Sequence, residues 1–539
     1  MNIQTETIND IPVIDAILRQ LDIENQIDNI YPIPKNWQGL SIGKITHIWL
    51  IYLLSSCDHR LSYVENWVCD HLGVLSTLVN CEIRREDFCD DKLGLILEYF
   101  SDGKKWNDFL SKHTKNVIQV YDLETETFRI DATIGKSFKK ITDTGLFQMG
   151  NSKHFRADLP QFKMMLATLD PMGLPIASLI VSGEKADDPL YIPVIKQAIE
   201  YTKAENKLFV GDSKMSSKAN RTFIVSSKNY YLSPLTAVQI SKEKLIEYLD
   251  NKEKLNQDFQ FVFKETEKIA KGFEVIVSMT SEIDGKPLTW EERRLIVRSY
   301  QYANSQIKAL IKRIEKSTFA LKNLNIHKQG KKKYITENEL DIVCSDIIKK
   351  FKVSDIVQYT IQSQIETISI RAYKNKPART ETKTTFQVQV TINETVLENT
   401  KKTLGWRVYA TNSPKDKFTL PALVKIYRNE YIVEYCFKNL KDKPLNLLPL
   451  YLHLDNRIRG LINVLTLALN GIRVIEYKVH SGLKEQNIKL KGLYAGNPQQ
   501  KTATPSANLL LKSFENKHCT IITESPVFIE EHKKLDLCN

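Results

Sequence analysis

Residues 161–183 read "QFKMMLATLDPMGLPIASLIVSG", and this stretch decides the fold. Two apolar runs flank Asp170-Pro171-Met172-Gly173. Asp at i, Pro at i+1 and Gly at i+3 are the preferences of a type I turn, so the runs predict the two strands of a hairpin. Upstream, "TFRIDAT" (127–133) alternates Phe128 and Ile130 with Arg129 and Asp131, the period of two expected of a strand. Downstream, Asp188-Pro189 offers an N-cap and a proline at the first helical position, which predicts a helix over "PLYIPVIKQAIEYT". "NKLFVGDSKM" (206–215) then reads as an apolar strand with Gly211 and Asp212 at its carboxyl end.

Strand, hairpin, helix, strand is the opening order of an RNase H-like domain. In open sheets, functional side chains gather at the carboxyl ends of strands. Asp131 ends the first strand and Asp212 a later one; if the two are neighbours, their carboxylates reach one metal ion. A third carboxylate on a helix crossing that edge completes a site for two Mg²⁺ ions about 3.5–4 Å apart, and hard oxygen ligands suit Mg²⁺. Residues 427–441, "YRNEYIVEYCFKNLK", predict such a helix. At about 100° per residue, Tyr427, Glu430, Glu434, Lys438 and Lys441 fall within an arc of roughly 80°. Ile426, Ile432, Val433, Cys436, Phe437 and Leu440 take the neighbouring, core-facing side. Glu430 and Glu434 form a like-charge i,i+4 pair, mildly destabilising unless a cation sits between them.

The remaining segments give the domain plan. Residues 1–115 read as a helical N-terminal domain, from "PVIDAILRQLDIENQI", "SIGKITHIWLIYLLSS" and "DDKLGLILEYFSDG", with Ser41 and Asp90 as N-caps. The first part of the RNase H-like core spans 125–235. Residues 236–403 interrupt it with a β-rich (α+β) insertion. There a capping box, Thr289-x-x-Glu292, predicts a long helix over "WEERRLIVRSYQYANSQIKALIKRIEKSTFALKNL". The basic loop "HKQGKKKY", a second helix opened by Thr336-x-x-Glu339, and two Thr-rich strands, "VQYTIQSQIETISIRAY" and "RTETKTTFQVQVTI", follow. The core resumes over 404–485 with the strand "LGWRVYATN", the 427–441 helix and a further helix, "DNRIRGLINVLTLALNGIRVI". A loop-rich tail covers 486–539. The fold class expected is therefore α/β, an RNase H-like core with an insertion and a helical N-terminal domain.

Composition narrows the partners. A chain of 539 residues with 42% hydrophobic and 26% charged residues suits a soluble protein of more than one domain. Lys and Arg outnumber Asp and Glu by 76 to 64, a net +12 that favours a polyanionic partner, nucleic acid or an anionic membrane surface. The start lacks a basic region followed by an apolar one, which predicts no signal peptide. No run of about 18 apolar residues is present, which predicts no membrane span; a cytoplasmic location is expected. Cys57-x-His59 and Cys69-x-His71 do not have the spacing of a known zinc finger, so reduced structural thiols are expected. Lys153, His154 and Arg156, in "GNSKHFRADLPQ", are candidate DNA contacts, with a solvated loop as the alternative.

The segments "RIDAT", "GNSKHFRADLPQFKMMLATLDPMGLPI", "GDSKM", "TWEERR", "NKPARTE", "LGWRVYATN" and "YRNEYIVEYCFKNLKDKPLNLLPLYLHLDNRIRGLI" resemble the DDE-type transposases of bacterial insertion sequences. The resemblance is to the insertion-sequence-four superfamily, in its sixteen-thirty-four branch, and covers nearly the whole chain. The superfamily pattern Tyr-x2-Arg-x3-Glu-x6-Lys keeps its spacing at Tyr427, Glu434 and Lys441. The resemblance implies Asp131, Asp212 and Glu434 as the catalytic, metal-holding acids, with Mg²⁺ as cofactor and Mn²⁺ as its substitute. It further implies that Tyr427 and Lys441 hold DNA-end phosphates.

Position 430 departs from the pattern, with Glu in place of Arg. The change removes an expected phosphate contact, for which Arg428 and Lys438 are the candidate replacements. It also puts a second acid about 6 Å along the helix from Glu434, which makes Glu430 the rival third acid. The implied activity is hydrolysis at the element's ends, followed by in-line attack of the freed 3′-hydroxyl on target DNA. The implied partners are double-stranded DNA and a second copy of the chain in a synaptic dimer. The N-terminal domain would then serve end recognition or dimer contacts. Two rivals stay open: an RNase H-like nuclease that cuts without joining, and an inactive relic that only binds DNA.

Overall fold

The hairpin expected at 161–183 forms one edge of a nine-stranded sheet in the computed structural model, which describes residues 2–151, 156–254, 257–326, 336–372 and 377–523. Ahead of the sheet come β1 (Asn2–Thr7) and the helices α1 (Ile11–Gln20), α2 (Ile23–Ile30), α3 (Ile42–Ser56), α4 (Leu61–Asp70), α5 (Leu72–Val79), α6 (Asp90–Phe100) and α7 (Gly103–Val120). Ser41 caps α3, its Oγ accepting from the Lys44 amide at 3.2 Å. Asp90 is the first residue of α6 and not its cap, a place taken by Cys89.

The sheet-forming region runs β2 (Thr127–Lys136), β3 (Gln161–Leu169), β4 (Leu174–Ser182), α8 (Tyr191–Thr202), β5 (Leu208–Gly211), α9 (Lys218–Ser226), β6 (Tyr230–Pro234), α10 (Lys242–Lys254), β7 (Gln260–Lys264), β8 (Glu267–Ile283) and β9 (Lys286–Ser299). Then follow α11 (Tyr300–Lys322), α12 (Glu337–Phe351), β10 (Val357–Ile370), β11 (Arg379–Ile392), α13 (Glu394–Thr403), β12 (Trp406–Thr411), α14 (Leu420–Arg428), α15 (Tyr431–Lys441), α16 (Asp455–Glu485), α17 (Ala507–Lys512) and β13 (His518–Thr523). The sheet order is β4-β3-β2-β5-β6-β12-β9-β8-β7. Only the β2–β5 and β5–β6 neighbours run parallel, so the sheet is mixed.

Several local expectations are corrected. The hairpin turn carries a cis Asp170–Pro171 peptide with Gly173 at φ +70°, and the Gly173 amide bonds the Leu169 carbonyl at 2.7 Å, one residue beyond the closure expected of a type I turn over 170–173. Asp188 starts a short 3₁₀ turn, Asp188–Leu190, and α8 begins after it at Tyr191. The Thr289-x-x-Glu292 signature lies inside β9 and caps nothing. Glu292 is wholly buried there and accepts from the Arg221 guanidinium and, at 2.7 Å, from Tyr231 Oη. A buried cation and pairing with β8 and β12 override the capping pattern, and the helix starts at Tyr300 with Ser299 as its cap. The second cap holds: Thr336 Oγ1 accepts from the Glu339 amide at 3.3 Å.

Segment 236–403 divides in two. β7, β8 and β9 extend the central sheet, whereas α11, α12, β10, β11 and α13 build a core of their own around Leu310, Leu321, Leu340, Ile348, Val357 and Leu397. The basic loop 327–334 lies outside the described residues. The tail is also ordered in part: β13 pairs antiparallel with β1, from Asn2↔Thr523 to Thr7↔His518. α16 has the length and apolar composition to cross a membrane, yet 94% of its apolar window is buried inside the protein. It packs on α6 so closely at Gly460 that a Cβ there would lie 2.0 Å from the Leu97 carbonyl oxygen.

The helix expected over 427–441 is broken. α14 ends at Arg428 and α15 starts at Tyr431. Across the gap, the Glu430 amide bonds the Tyr427 carbonyl at 3.1 Å and the Ile432 amide bonds that of Asn429 at 3.0 Å. These three-residue spacings tighten the chain at Asn429, one of the weaker helix formers. Tyr427 therefore does not share one continuous helix face with Glu434 and Lys441.

Candidate active site

β2 and β5 are parallel neighbours whose last paired residues are Ile130 and Gly211. Asp131 and Asp212 each come one residue later, at the point where the two strands part. Close packing favours glycine at 211, since a Cβ there would lie 2.7 Å from Met215 Sδ. Asp131 does not end its strand: β2 continues to Lys136 along β3, so Asp131 ends only the portion shared with β5.

Hydrogen bonds fix both acids. Asp212 Oδ1 accepts from Tyr191 Oη at 2.7 Å and from the Lys214 amide at 2.8 Å. Asp131 Oδ1 accepts from the Ala132 amide at 2.7 Å. Two adjoining clefts share this pair. One is lined by Asp131, Thr133, Lys163, Tyr191, Asp212 and Lys214, among others. The other is lined by Arg129, Asp131, Asp212, Tyr427, Glu430 and Val433, among others.

The α14–α15 junction covers the second cleft. Burial raises the pKa of Glu430 above the ordinary carboxylate range, and the charges of Glu434 and Asp212 push it the same way. Burial lowers the pKa of Lys441, opposed by Asp442 and Asp131. One end of α15 thus feels Asp212 and the other feels Asp131. Glu434, an exposed residue one turn after Glu430 on that side of the helix, lies between them along the chain and lines neither cleft.

The other candidates are distributed unevenly. Tyr427 lines the second cleft, packs at a tilt of 56° against Tyr409 with 4.8 Å between ring centroids, and has its hydroxyl pKa raised by burial and by Glu430. Arg428 turns away, donating to Ser299 Oγ at 3.2 Å. Lys438 is exposed and lines neither cleft. Arg156 is exposed and pairs with Asp158 at 2.9 Å. Lys153 and His154 lie outside the described residues. For the paired Cys/His spacings, Cys57 and Cys69 are free thiols, and among the described residues no group of three His, Cys, Asp or Glu side chains stands ready to hold a metal ion.

Sequence reading missed Arg129. Its buried guanidinium donates through Nε to both oxygens of Asp170, at 2.8 and 2.8 Å, and through Nη2 to Asp170 Oδ2 at 2.6 Å. The same Nη2 donates to the Ile426 carbonyl at 2.6 Å. Arg129 therefore ties β2, two residues before Asp131, to the hairpin turn and to the end of α14. Strand alternation puts Arg129 in line with Asp131 but gives no sign of its partners, which lie 41 and 297 residues away in the chain. From behind, Cys436 Sγ contacts the Gly173 carbonyl at 3.2 Å, and Arg473 Nε donates to the Met172 carbonyl at 2.8 Å.

The acids offer only oxygen donors, and the like charges of Glu434 and Asp212 on Glu430 are of the kind a cation relieves. Oxygen donors suit a hard divalent ion, but among the described residues no three of these acids stand close enough together to form a ready metal site.

Residues 130–470, well over half of the chain, match a family model described as "Transposase DDE domain". Residues 3–106 match one described as "Domain of unknown function (DUF4277)". No curated protein matches. Among solved structures, the cryo-EM structure of the piggyBac transposase synaptic complex with hairpin DNA is similar over 94% of this chain and 79% of that one, at 11% identity and a TM-score of 0.35.

Proposed function

Since the chain belongs to the transposase DDE domain family, we propose that it cuts DNA at the ends of its own insertion sequence and joins those ends to target DNA. Within the family we assign it to the insertion-sequence-four superfamily and the sixteen-thirty-four branch. The observation that carries the reading is the placement of Asp131 and Asp212 one residue beyond the last pair of two parallel strands, with an acid-bearing helix junction against them.

Asp131, Asp212 and Glu434 are the proposed holders of Mg²⁺, with Mn²⁺ able to take its place. Such ions, when bound, supply activation of the attacking oxygen and stabilisation of the leaving 3′-oxygen. The protein's own part is to hold and orient. Asp212 is fixed by two donors on one oxygen. Lys441 and Tyr427 flank the acids and suit the phosphates of the DNA end, with Arg428 and Lys438 as further contacts farther out. A net charge of +12 favours binding the phosphate backbone. Glu434 is preferred as third acid because its spacing from Tyr427 and Lys441 keeps the register of the superfamily pattern. Glu430 is the rival, favoured by its place in the cleft wall. Synapsis of two ends calls for a dimer.

The test uses linear DNA carrying the sequences that flank the reading frame, a supercoiled plasmid target and Mg²⁺. Asp131→Asn, Asp212→Asn and Glu434→Gln are expected to abolish cleavage while end binding survives; Glu430→Gln is expected to cut. The reverse result for the two glutamates moves the third acid to Glu430. Cleavage with no joined product supports a nuclease in place of a transposase.

A further inference from the structure

Tyr191 is the first residue of α8, and its side chain is 1% exposed. Its hydroxyl reaches past the sheet to Asp212, not to a backbone carbonyl, the acceptor most buried side-chain donors find. The oxygen it meets, Oδ1, already accepts from the Lys214 amide. Two donors converging on one oxygen restrict rotation of the carboxylate and leave Oδ2 as the atom to be offered elsewhere. A phenol donating to a carboxylate makes a charge-assisted bond, stronger than a neutral one.

The tyrosine is itself held in place. The turn before α8 begins after Asp187, whose Oδ1 accepts from Lys163 Nζ at 2.7 Å, and Lys163 is a buried residue of β3. The link runs from the sheet through Lys163 to Asp187, along the Asp188–Leu190 turn to Tyr191, and on to Asp212. Lys163, Asp187, Tyr191 and Asp212 line the same cleft beside the acid pair.

We propose that Tyr191 is a positioning residue that turns the Asp212 carboxylate so that Oδ2 is presented to the divalent ion. The inference rests on the reading of Asp212 as a metal ligand. Tyr191→Phe removes the hydroxyl and keeps the buried ring, so packing is preserved. Loss of an outer partner of a metal ligand typically lowers metal affinity or activity about 10–100-fold.

The experiment titrates Mn²⁺ into the full-length protein without DNA, following free ion by electron paramagnetic resonance, for the parent, Tyr191→Phe and Asp212→Asn. Circular dichroism checks the fold of each. The expected result is Mn²⁺ binding by the parent, binding weakened about 10–100-fold in Tyr191→Phe, and loss of binding in Asp212→Asn. The Mg²⁺ concentration for half-maximal cleavage should rise in step for Tyr191→Phe, with affinity for the DNA end unchanged. If Tyr191→Phe binds Mn²⁺ like the parent while Asp212→Asn does not, the positioning role is refuted and the ligand reading stands. If Asp212→Asn binds like the parent, or the parent binds none, the ligand reading fails and the positioning role fails with it.

Discussion

Replacing Arg129 with Met should unfasten three pieces of the protein at once. The guanidinium makes three contacts of 2.6–2.8 Å with Asp170 and one of 2.6 Å with the Ile426 carbonyl. The arginine side chain is 2% exposed and that of Asp170 13%, so this is a buried pair. Removing one partner of a buried pair costs about 3–5 kcal/mol, mostly because the other charge is left without compensation. Burial already outweighs the guanidinium and raises the Asp170 pKa. Without Arg129 the carboxyl should take up a proton more readily still, so the cost of Arg129→Met should shrink as the pH is lowered. Removing both charges with Arg129→Met and Asp170→Leu should recover most of the loss, as replacing buried pairs by apolar residues often does. Denaturant midpoints at pH 7.5 and pH 5 measure the stability arm. Hydrogen exchange across 420–441 measures release of the α14–α15 junction, and DNA-end cleavage should fall while end binding holds. A cost below about 1 kcal/mol for the single change, or a double variant as unstable as the two singles summed, would refute the clamp.

Three further outcomes follow from other sites. His113 is wholly buried against Phe109, and burial lowers its pKa to about 4. Its folded pKa is below the unfolded value near 6.5, so its stability cost is absent above that pH and grows as pH falls toward 4; the parent should lose about 2–3 kcal/mol more than His113→Phe between pH 7 and 4.5 in urea titrations. Gly460→Ala drives a Cβ against the Leu97 carbonyl, a backbone atom that cannot swing aside. It should cost about 1–3 kcal/mol, seen as a lower melting temperature. Lys441→Ala should weaken DNA-end binding and reduce the slope of log affinity against log salt by about 0.9, measured by fluorescence anisotropy.

The acid pair was legible because its signals are local. Alternation around Ile130, the apolar run before Gly211 and the turn at Asp170 each lie within a few residues, and parallel pairing of β2 with β5 then brings Asp131 and Asp212 together. What the sequence concealed depends on distant partners. Glu292 looks like half of a capping box until Arg221 and Tyr231 supply its true neighbours. β7 and β8 lie outside the strands expected for the insertion, although Phe273, Val275, Ile276 and Val277 give β8 a strand-forming run of its own. β1 finds its partner at the far end of the described chain. The break at Asn429 was hidden by an amphipathic pattern that runs through it unchanged. Strand alternation says nothing of the partners of Arg129, because Asp170 and Ile426 come from two other segments.

The position of β12 between β6 and β9 carries a consequence for synthesis. The strand that closes the middle of the sheet is also the last of the nine to leave the ribosome, and α14 and then α15 are made after it. More than two hundred residues separate Asp212 from Glu434. At about 5–20 residues per second, the proposed third acid emerges roughly 10–40 s after the second. During that interval a nascent chain holds two of the proposed acids and an unfilled slot in its sheet, while still tethered near the message that encodes it. The proposed site is therefore incomplete until the strand that fills that slot, and the helices after it, have been made.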